Sequence, residues 1–135
     1  RRAMAMQIRI VCPEHQAYEG EAAFVTVPTT DGALGVAPLH ASEISTIEPG
    51  YVRVCDRAMG TVDHSFAVSG GYVQIADDTV IVLADRAEDL KDVDRSQVQA
   101  EIQGFEDQLS VLSENDAQRA YLYNEIAWCK LLLDA

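Results

Sequence analysis

The apolar residues of this chain change their spacing once, near residue 85, and that change decides what each part can fold into. From Met6 to about Ala84 they recur with a period near two, in short runs broken by turn residues, which is the rhythm of strands with one buried face. Met6, Ile8 and Ile10 alternate with Gln7 and Arg9, and the β-branched and aromatic run from Phe24 to Val27 stops at Pro28. After Asp85, Val98, Ile102, Phe105, Leu109 and Leu112 recur at the spacings of one helical stripe. The expected fold class is therefore β + α: an N-terminal antiparallel β-sandwich followed by a C-terminal two-helix antiparallel hairpin.

Turn residues mark the joints. Glu48-Pro49-Gly50 places proline at the first central position of a turn and glycine where a positive φ is expected, and Asp77-Asp78 separates Tyr72–Ile75 from Thr79–Leu83, so two hairpins are predicted. Asp31-Gly32 and Gly35 read likewise as turn glycines. Asp94 can cap the first helix, and Gln97 completes a pattern like a capping box. Ser113 to Asp116 form a polar link, and a second helix begins near Ala117. The chain is expected to divide into a leader or remnant at 1–5, a sandwich at 6–88 and a helical hairpin at 89–135.

The second helix carries more apolar surface than a hairpin can cover. Leu122, Ile126, Cys129 and Leu133 make one stripe, and Tyr121, Trp128 and Leu132 add a second surface beside it. A helix apolar around much of its girth is buried on more than one side, so this one is expected to pack on its own sandwich, on another protein, or on each in turn.

Charge and composition exclude several functions. Ten basic residues stand against 22 acidic ones, a formal charge of -12, so the phosphate neutralisation that drives nucleic-acid binding is missing. The same charge opposes adsorption to an anionic membrane surface. No apolar run approaches the roughly 20 residues that span a bilayer, and no apolar signal core follows Arg1, so a soluble, cytoplasmic protein without direct membrane insertion is expected. Cys12, Cys55 and Cys129 lack the spacing of a zinc site or disulfide framework, and His15, His40 and His64 are scattered; reduced thiols and no metal are expected.

Catalytic chemistry finds little support. Asp31, His40, Glu43, Ser69 and Asp85 are the candidate groups, and none lies in a nucleophile motif. Ser69-Gly70-Gly71 lacks the Gly-Lys-Ser/Thr ending and following helix of a phosphate loop, so a bulge or close backbone approach is the better reading. The acidic residues from Asp85 to Asp94 lack a calcium-loop pattern and read as a solvated linker leading to a helix N-terminus.

Two runs resemble a known family. Asp31 Gly32 Ala33 Leu34 Gly35 Val36 Ala37 Pro38 Leu39 His40 Ala41, followed by Ile47 Glu48 Pro49 Gly50 Tyr51 Val52 Arg53 Val54, is similar to the "G x L G x x P x H A... L x P G x V R" signature of the epsilon subunit of bacterial F-type ATP synthase. Phe66 Ala67 Val68 Ser69 Gly70 Gly71 Tyr72 Val73 Gln74 Ile75, followed by Thr79 to Asp85, is similar to its "F x V S G G F x E V... V T V L A D". Leu39 replaces the glycine usual before the histidine, and Ser42-Glu43 replaces a Pro-Leu pair.

The resemblance implies a non-catalytic rotor subunit at the cytoplasmic face of the plasma membrane, peripheral to it. In that family the sandwich would bind the gamma subunit and the c-ring, through Asp31, Ala33, Leu34, His40 and Ser42. The hairpin would act as a regulatory arm that meets the alpha/beta hexamer when extended and opposes ATP hydrolysis, with Tyr121, Trp128 and Leu132 on its interface. Some members bind ATP; here Glu88, Asp94 and Arg119 are the nucleotide candidates, but Gln97 stands where the motif has arginine. Losing one charged partner removes about 1.5–3 kcal/mol, roughly ten- to hundredfold, so ATP binding is expected to be weak or absent. No other cofactor is expected. The alternative is a stand-alone sandwich module that binds a small ligand or nucleotide.

Overall fold

The computed structural model describes residues 5–135; most of the expected leader lies outside the described residues. The chain forms two compact units, one running to Lys91 and one from Asp92 to Ala135.

The first unit contains β1 (Met6–Cys12), β2 (His15–Ala22), β3 (Phe24–Thr29), β4 (Gly32–Val36), β5 (Glu43–Thr46), β6 (Gly50–Cys55), β7 (His64–Ala76) and β8 (Thr79–Asp89). The strand order is β2-β1-β8-β7-β6-β3-β4, with β5 on β7. The pairings are antiparallel except one: β1 runs parallel to β8, from Gln7 beside Thr79 to Val11 beside Leu83. These two strands are the first and last of the unit, so no tight turn fixes their relative direction.

The folding-over of the sheet is set by β7. Its first half pairs with β6, Val54 beside His64 through Gly50 beside Val68, and its second half pairs with β5, Thr46 beside Tyr72 through Glu43 beside Ile75. The change of partner falls at Gly70-Gly71, where strands that serve both layers of a sandwich must turn a corner. The register against β8 is the same on both sides of the pair, Ser69 beside Arg86 and Gly71 beside Ala84, with Gly70 itself left out of the ladder, so no extra residue is inserted as in a bulge. The close approach is realised at Gly71, where φ is +110° and an added Cβ would lie 1.8 Å from the Leu83 carbonyl oxygen. Inward residues of both layers, among them Ile8, Ile10, Val25, Val27, Val54, Phe66, Val73 and Val82, form one core. Each such side chain contributes about 1.5–3 kcal/mol on burial.

Two of the four expected turns resolve differently from expectation. Asp77-Asp78 is a tight hairpin turn with φ of 52° and 56°, the double positive φ of a type I′ turn. Glu48-Pro49-Gly50, by contrast, joins β5 to β6, which do not pair with each other, so it is a crossover and not a hairpin. Gly50 does not have the positive φ expected of it; an added Cβ would meet the Pro28 ring at 2.7 Å, and that packing requires glycine. Gly35 is a strand residue of β4, where the Phe24 ring occupies the space of a side chain, 2.8 Å from the would-be Cβ. Of the three glycines assigned to turns, Gly32 alone, at φ +110°, fills one as expected.

The second unit follows a short 3-10 turn (Leu90–Asp92) and consists of α1 (Arg95–Ser110) and α2 (Gln118–Leu133). Asp94 is the N-cap of α1, its carboxylate accepting from the Gln97 N–H at 3.2 Å and from Ser96 Oγ at 2.9 Å. Those bonds pull the Asp94 carboxyl below its ordinary value of 3.8. The Gln97 side chain turns to Glu101 instead of closing a capping box. The N-cap of α2 is Ala117, which brings no side-chain bond; the residue before it, Asp116, accepts from the Gln118 N–H through Oδ1 at 2.9 Å. Its buried residues are Leu122, Ile126, Cys129 and Leu132, so the stripe ends on Leu132 and not on Leu133.

Candidate functional site

The sandwich residues singled out by sequence fall on two surfaces. Asp31 and Ala33 are exposed at the β3–β4 tip, which Thr29 stiffens: its Oγ1 donates to the Gly32 carbonyl at 2.6 Å and accepts from the Asp31 N–H at 3.2 Å. Leu34, beside them in sequence, packs against the core and pairs with Val27.

His40 and Ser42 lie on the segment between β4 and β5. The His40 Nδ1–H donates to the Ala41 carbonyl at 2.7 Å, which orients the ring locally. Preceding it, Leu39 adopts φ 70° and is 75% exposed. Its N–H donates to Asp78 Oδ1 at 2.6 Å, which anchors the segment to the β7–β8 turn. Ser42 opens onto a shallow, mainly apolar depression of ≈ 520 Å³, lined also by Ile44, Ile75, Ala76 and Ile81. Ile44 is 68% exposed there. Sequence reasoning missed Ile44, although its place between Glu43 and Ser45 in a short alternating run marks a side chain on the face opposite theirs.

The candidate catalytic groups are not assembled. Asp31, His40, Glu43, Ser69 and Asp85 share no hydrogen bond with one another among the described residues; Glu43, for example, accepts from Ser45 Oγ at 2.6 Å. A His–Asp pair lies elsewhere: His64 Nε2 is 3.0 Å from Asp56 Oδ2, and Asp56 N–H donates to Asp63 Oδ2 at 2.6 Å. Tyr18 stacks, tilted, at 5.0 Å on both His64 and Phe66. Burial first, and then Asp56, Asp63 and Asp89, push the Tyr18 hydroxyl upward, so it stays protonated and uncharged against the core. No group of His, Cys, Asp and Glu among the described residues is arranged to hold a metal ion.

The nucleotide candidates are held apart. Asp94 caps the start of α1, and Arg119 sits at the start of α2, beside the far end of α1. In an antiparallel pair those positions are separated by the length of α1, about 24 Å at 1.5 Å per residue. Arg119 is also engaged: Nη1 donates to the carbonyls of Leu109 at 3.2 Å and Leu112 at 3.4 Å, and Nη2 donates to the Tyr123 hydroxyl at 3.0 Å. Glu88 belongs to β8, opposite Ala67. Of the three hairpin residues expected at an interface, Tyr121 is exposed, Trp128 is half-buried and Leu132 is buried. No helix among the described residues is long and apolar enough to cross a membrane.

The chain is thus a two-unit protein, a β-sandwich bearing an apolar depression and a helical hairpin. Residues 5–90 match the family described as "ATP synthase, Delta/Epsilon chain, beta-sandwich domain". The ATP synthase epsilon chain of Rhodospirillum rubrum is 32% identical over 133 residues, covering 98% of this chain and 94% of that one. That of Desulfitobacterium hafniense (strain Y51) is 37% identical over 115 residues, covering 85% of each. Among solved structures, a chain of the Euglena gracilis mitochondrial ATP synthase (OSCP/F1/c-ring) superposes with a TM-score of 0.71 at 17% identity, covering 96% of this chain and 80% of that one. The chain belongs to the ATP synthase epsilon chain family.

Proposed function

We propose that this protein is a non-catalytic rotor subunit of a proton-translocating F-type ATP synthase, in which the sandwich couples the gamma subunit to the c-ring and the hairpin regulates ATP hydrolysis. The epsilon-chain relatives and the fold shared with chains of F1/c-ring assemblies support this reading. The single observation that carries it is the depression around Ile44: an aliphatic side chain 68% exposed, continuous with Ile75, Ala76 and Ile81 in one shallow apolar surface, fits a protein partner.

In this reading the depression seats gamma, and the β3–β4 tip with Asp31 and Ala33 meets the ring beside it. A sheet pinned by the Asp77-Asp78 turn and the Leu39–Asp78 bond resists deformation as torque passes from one partner to the other. The subunit would sit at the cytoplasmic face of the plasma membrane through these partners, with no segment of its own in the bilayer. Tyr121 and Trp128 would offer the hairpin's contact to the alpha/beta hexamer.

Co-purification tests the reading. Wild-type protein should come down with gamma in near-equal amount, and Ile44→Asp should reduce recovery at least tenfold, because about 1.5–3 kcal/mol of apolar burial is replaced by a desolvated charge. Recovery of the wild-type chain without any synthase subunit would favour a stand-alone module instead.

A further inference from the structure

The two helices of the hairpin are joined at both ends by arginines that cap each other's helix. Arg95, the first residue of α1, donates from Nη1 to the carbonyl of Leu133, the last residue of α2, at 2.9 Å. Arg119, near the start of α2, donates to the carbonyls of Leu109 and Leu112 at the end of α1. A guanidinium there adds a charged donor to carbonyls at the C-terminal end of a helix and opposes the negative end of its dipole, although the Leu109 carbonyl also accepts from the Leu112 N–H at 3.2 Å.

The two caps are chemically alike but mechanically different. At the Arg119 end the helices are joined covalently through residues 111–117, so loss of the cap cannot separate them. At the Arg95 end no loop joins α2 to α1, and the bond to Leu133 spans 38 residues of sequence. One turn back from Leu133 lies Cys129, 2% exposed, with Sγ 3.9 Å from Glu101 Oε2 of α1. The thiol faces α1 and is shielded while the free ends stay together.

We propose that Arg95 is a latch on the free end of the hairpin: its bond to the Leu133 carbonyl holds the last turns of α2 on α1, and α2 opens by peeling from that end about a hinge at residues 111–117. Peeling uncovers Leu132 first, then Cys129, Ile126 and Leu122, the apolar stripe a partner helix or groove would accept. That use by a partner rests on the regulatory-arm reading above; the latch does not.

The buried thiols report the opening. On the full-length chain, alkylation of Cys129 by iodoacetamide is followed peptide by peptide, with Cys12 and Cys55, buried in the sandwich unit, as internal controls. Arg95→Ala should speed Cys129 alkylation about fivefold, equivalent to ~1 kcal/mol in the opening equilibrium, with Cys12 and Cys55 unchanged. Arg119→Ala should speed it less. In the unmodified protein, amides of Lys130 to Leu133 should exchange faster than those of Leu122 to Glu125. An unchanged Cys129 rate in Arg95→Ala, an equal rise at Cys12 and Cys55, or an Arg119→Ala effect larger than that of Arg95→Ala overturns the latch. The reading uses the free chain alone, so its failure leaves the rotor assignment standing.

Discussion

The backbone N–H of Leu39 donates to Oδ1 of Asp78 at 2.6 Å, joining the segment that carries His40 and Ser42 to the β7–β8 turn. Both residues hold positive φ, 70° at Leu39 and 56° at Asp78. An aspartate tolerates that region through its short polar side chain, whereas a leucine is strained there by about 1–2 kcal/mol. The glycine usual at this position in the family is the residue that backbone prefers.

Leu39→Gly should therefore stabilise the sandwich. Relief of about 1–2 kcal/mol exceeds the roughly 0.5–1 kcal/mol of extra chain entropy that glycine loses on folding. Leucine forfeits little burial, being 75% exposed. A net gain of about 0.5–1 kcal/mol in urea unfolding is the expected outcome, and a loss would show that the side chain packs on something. Asp78→Ala, which removes the acceptor, should cost about 1–2 kcal/mol.

The paired glycines of β7 should respond unequally to alanine. At Gly71 a Cβ would lie 1.8 Å from the Leu83 carbonyl oxygen, a backbone atom with no freedom to move aside. At Gly70 the nearest atom is Asp85 Oδ2 at 2.6 Å, the end of an exposed side chain that can rotate. Gly71→Ala should cost about 3 kcal/mol or more and Gly70→Ala about 1 kcal/mol, read from chemical denaturation. Equal costs would mean that the strand corner relaxes.

How far such features were legible in the sequence depended on whether their cause was local. The change of period, the Asp77-Asp78 turn and the Asp94 cap were readable because each is fixed within a few residues. The parallel seam of β1 and β8 and the pairing of β5 with β7 were not, because partners far along the chain decide them; the strand His15–Ala22 pairs locally with β1, but its mostly polar sequence carries no clear alternation. Gly35 and Gly50 looked like turn residues, yet each is required by a ring from β3, Phe24 or Pro28, that only the fold brings close. Arg119 looked like a phosphate ligand when considered alone; the helix end that claims it lies ten residues earlier in sequence.

Acid should loosen the start of α1. The folded-state value of Asp94 is depressed, so its contribution is present above the ordinary 3.8 and is lost as pH falls through the lower folded value. Exchange protection of the Gln97 amide should decline between about pH 5 and about pH 2. Asp94→Asn, which keeps a capping oxygen but cannot titrate, should remove that dependence. Persistence of the decline in Asp94→Asn would assign it to another carboxylate.

The regulatory part proposed for the hairpin should be separable from the assembly part proposed for the sandwich, because the chain divides between Lys91 and Asp92. β8 runs to Asp89, where it pairs with Phe66, so a cut inside that strand would damage the sheet as well as remove the arm. A version ending at Lys91 keeps every strand pairing and should still bind gamma. In the assembled synthase at matched gamma occupancy, ATP hydrolysis should rise about fivefold or more, the low end of ordinary coupling free energies. An unchanged rate with the shortened chain still bound would confine the protein's part to coupling. The apolar stripe of Leu122, Ile126, Cys129 and Leu132 would then be packing alone.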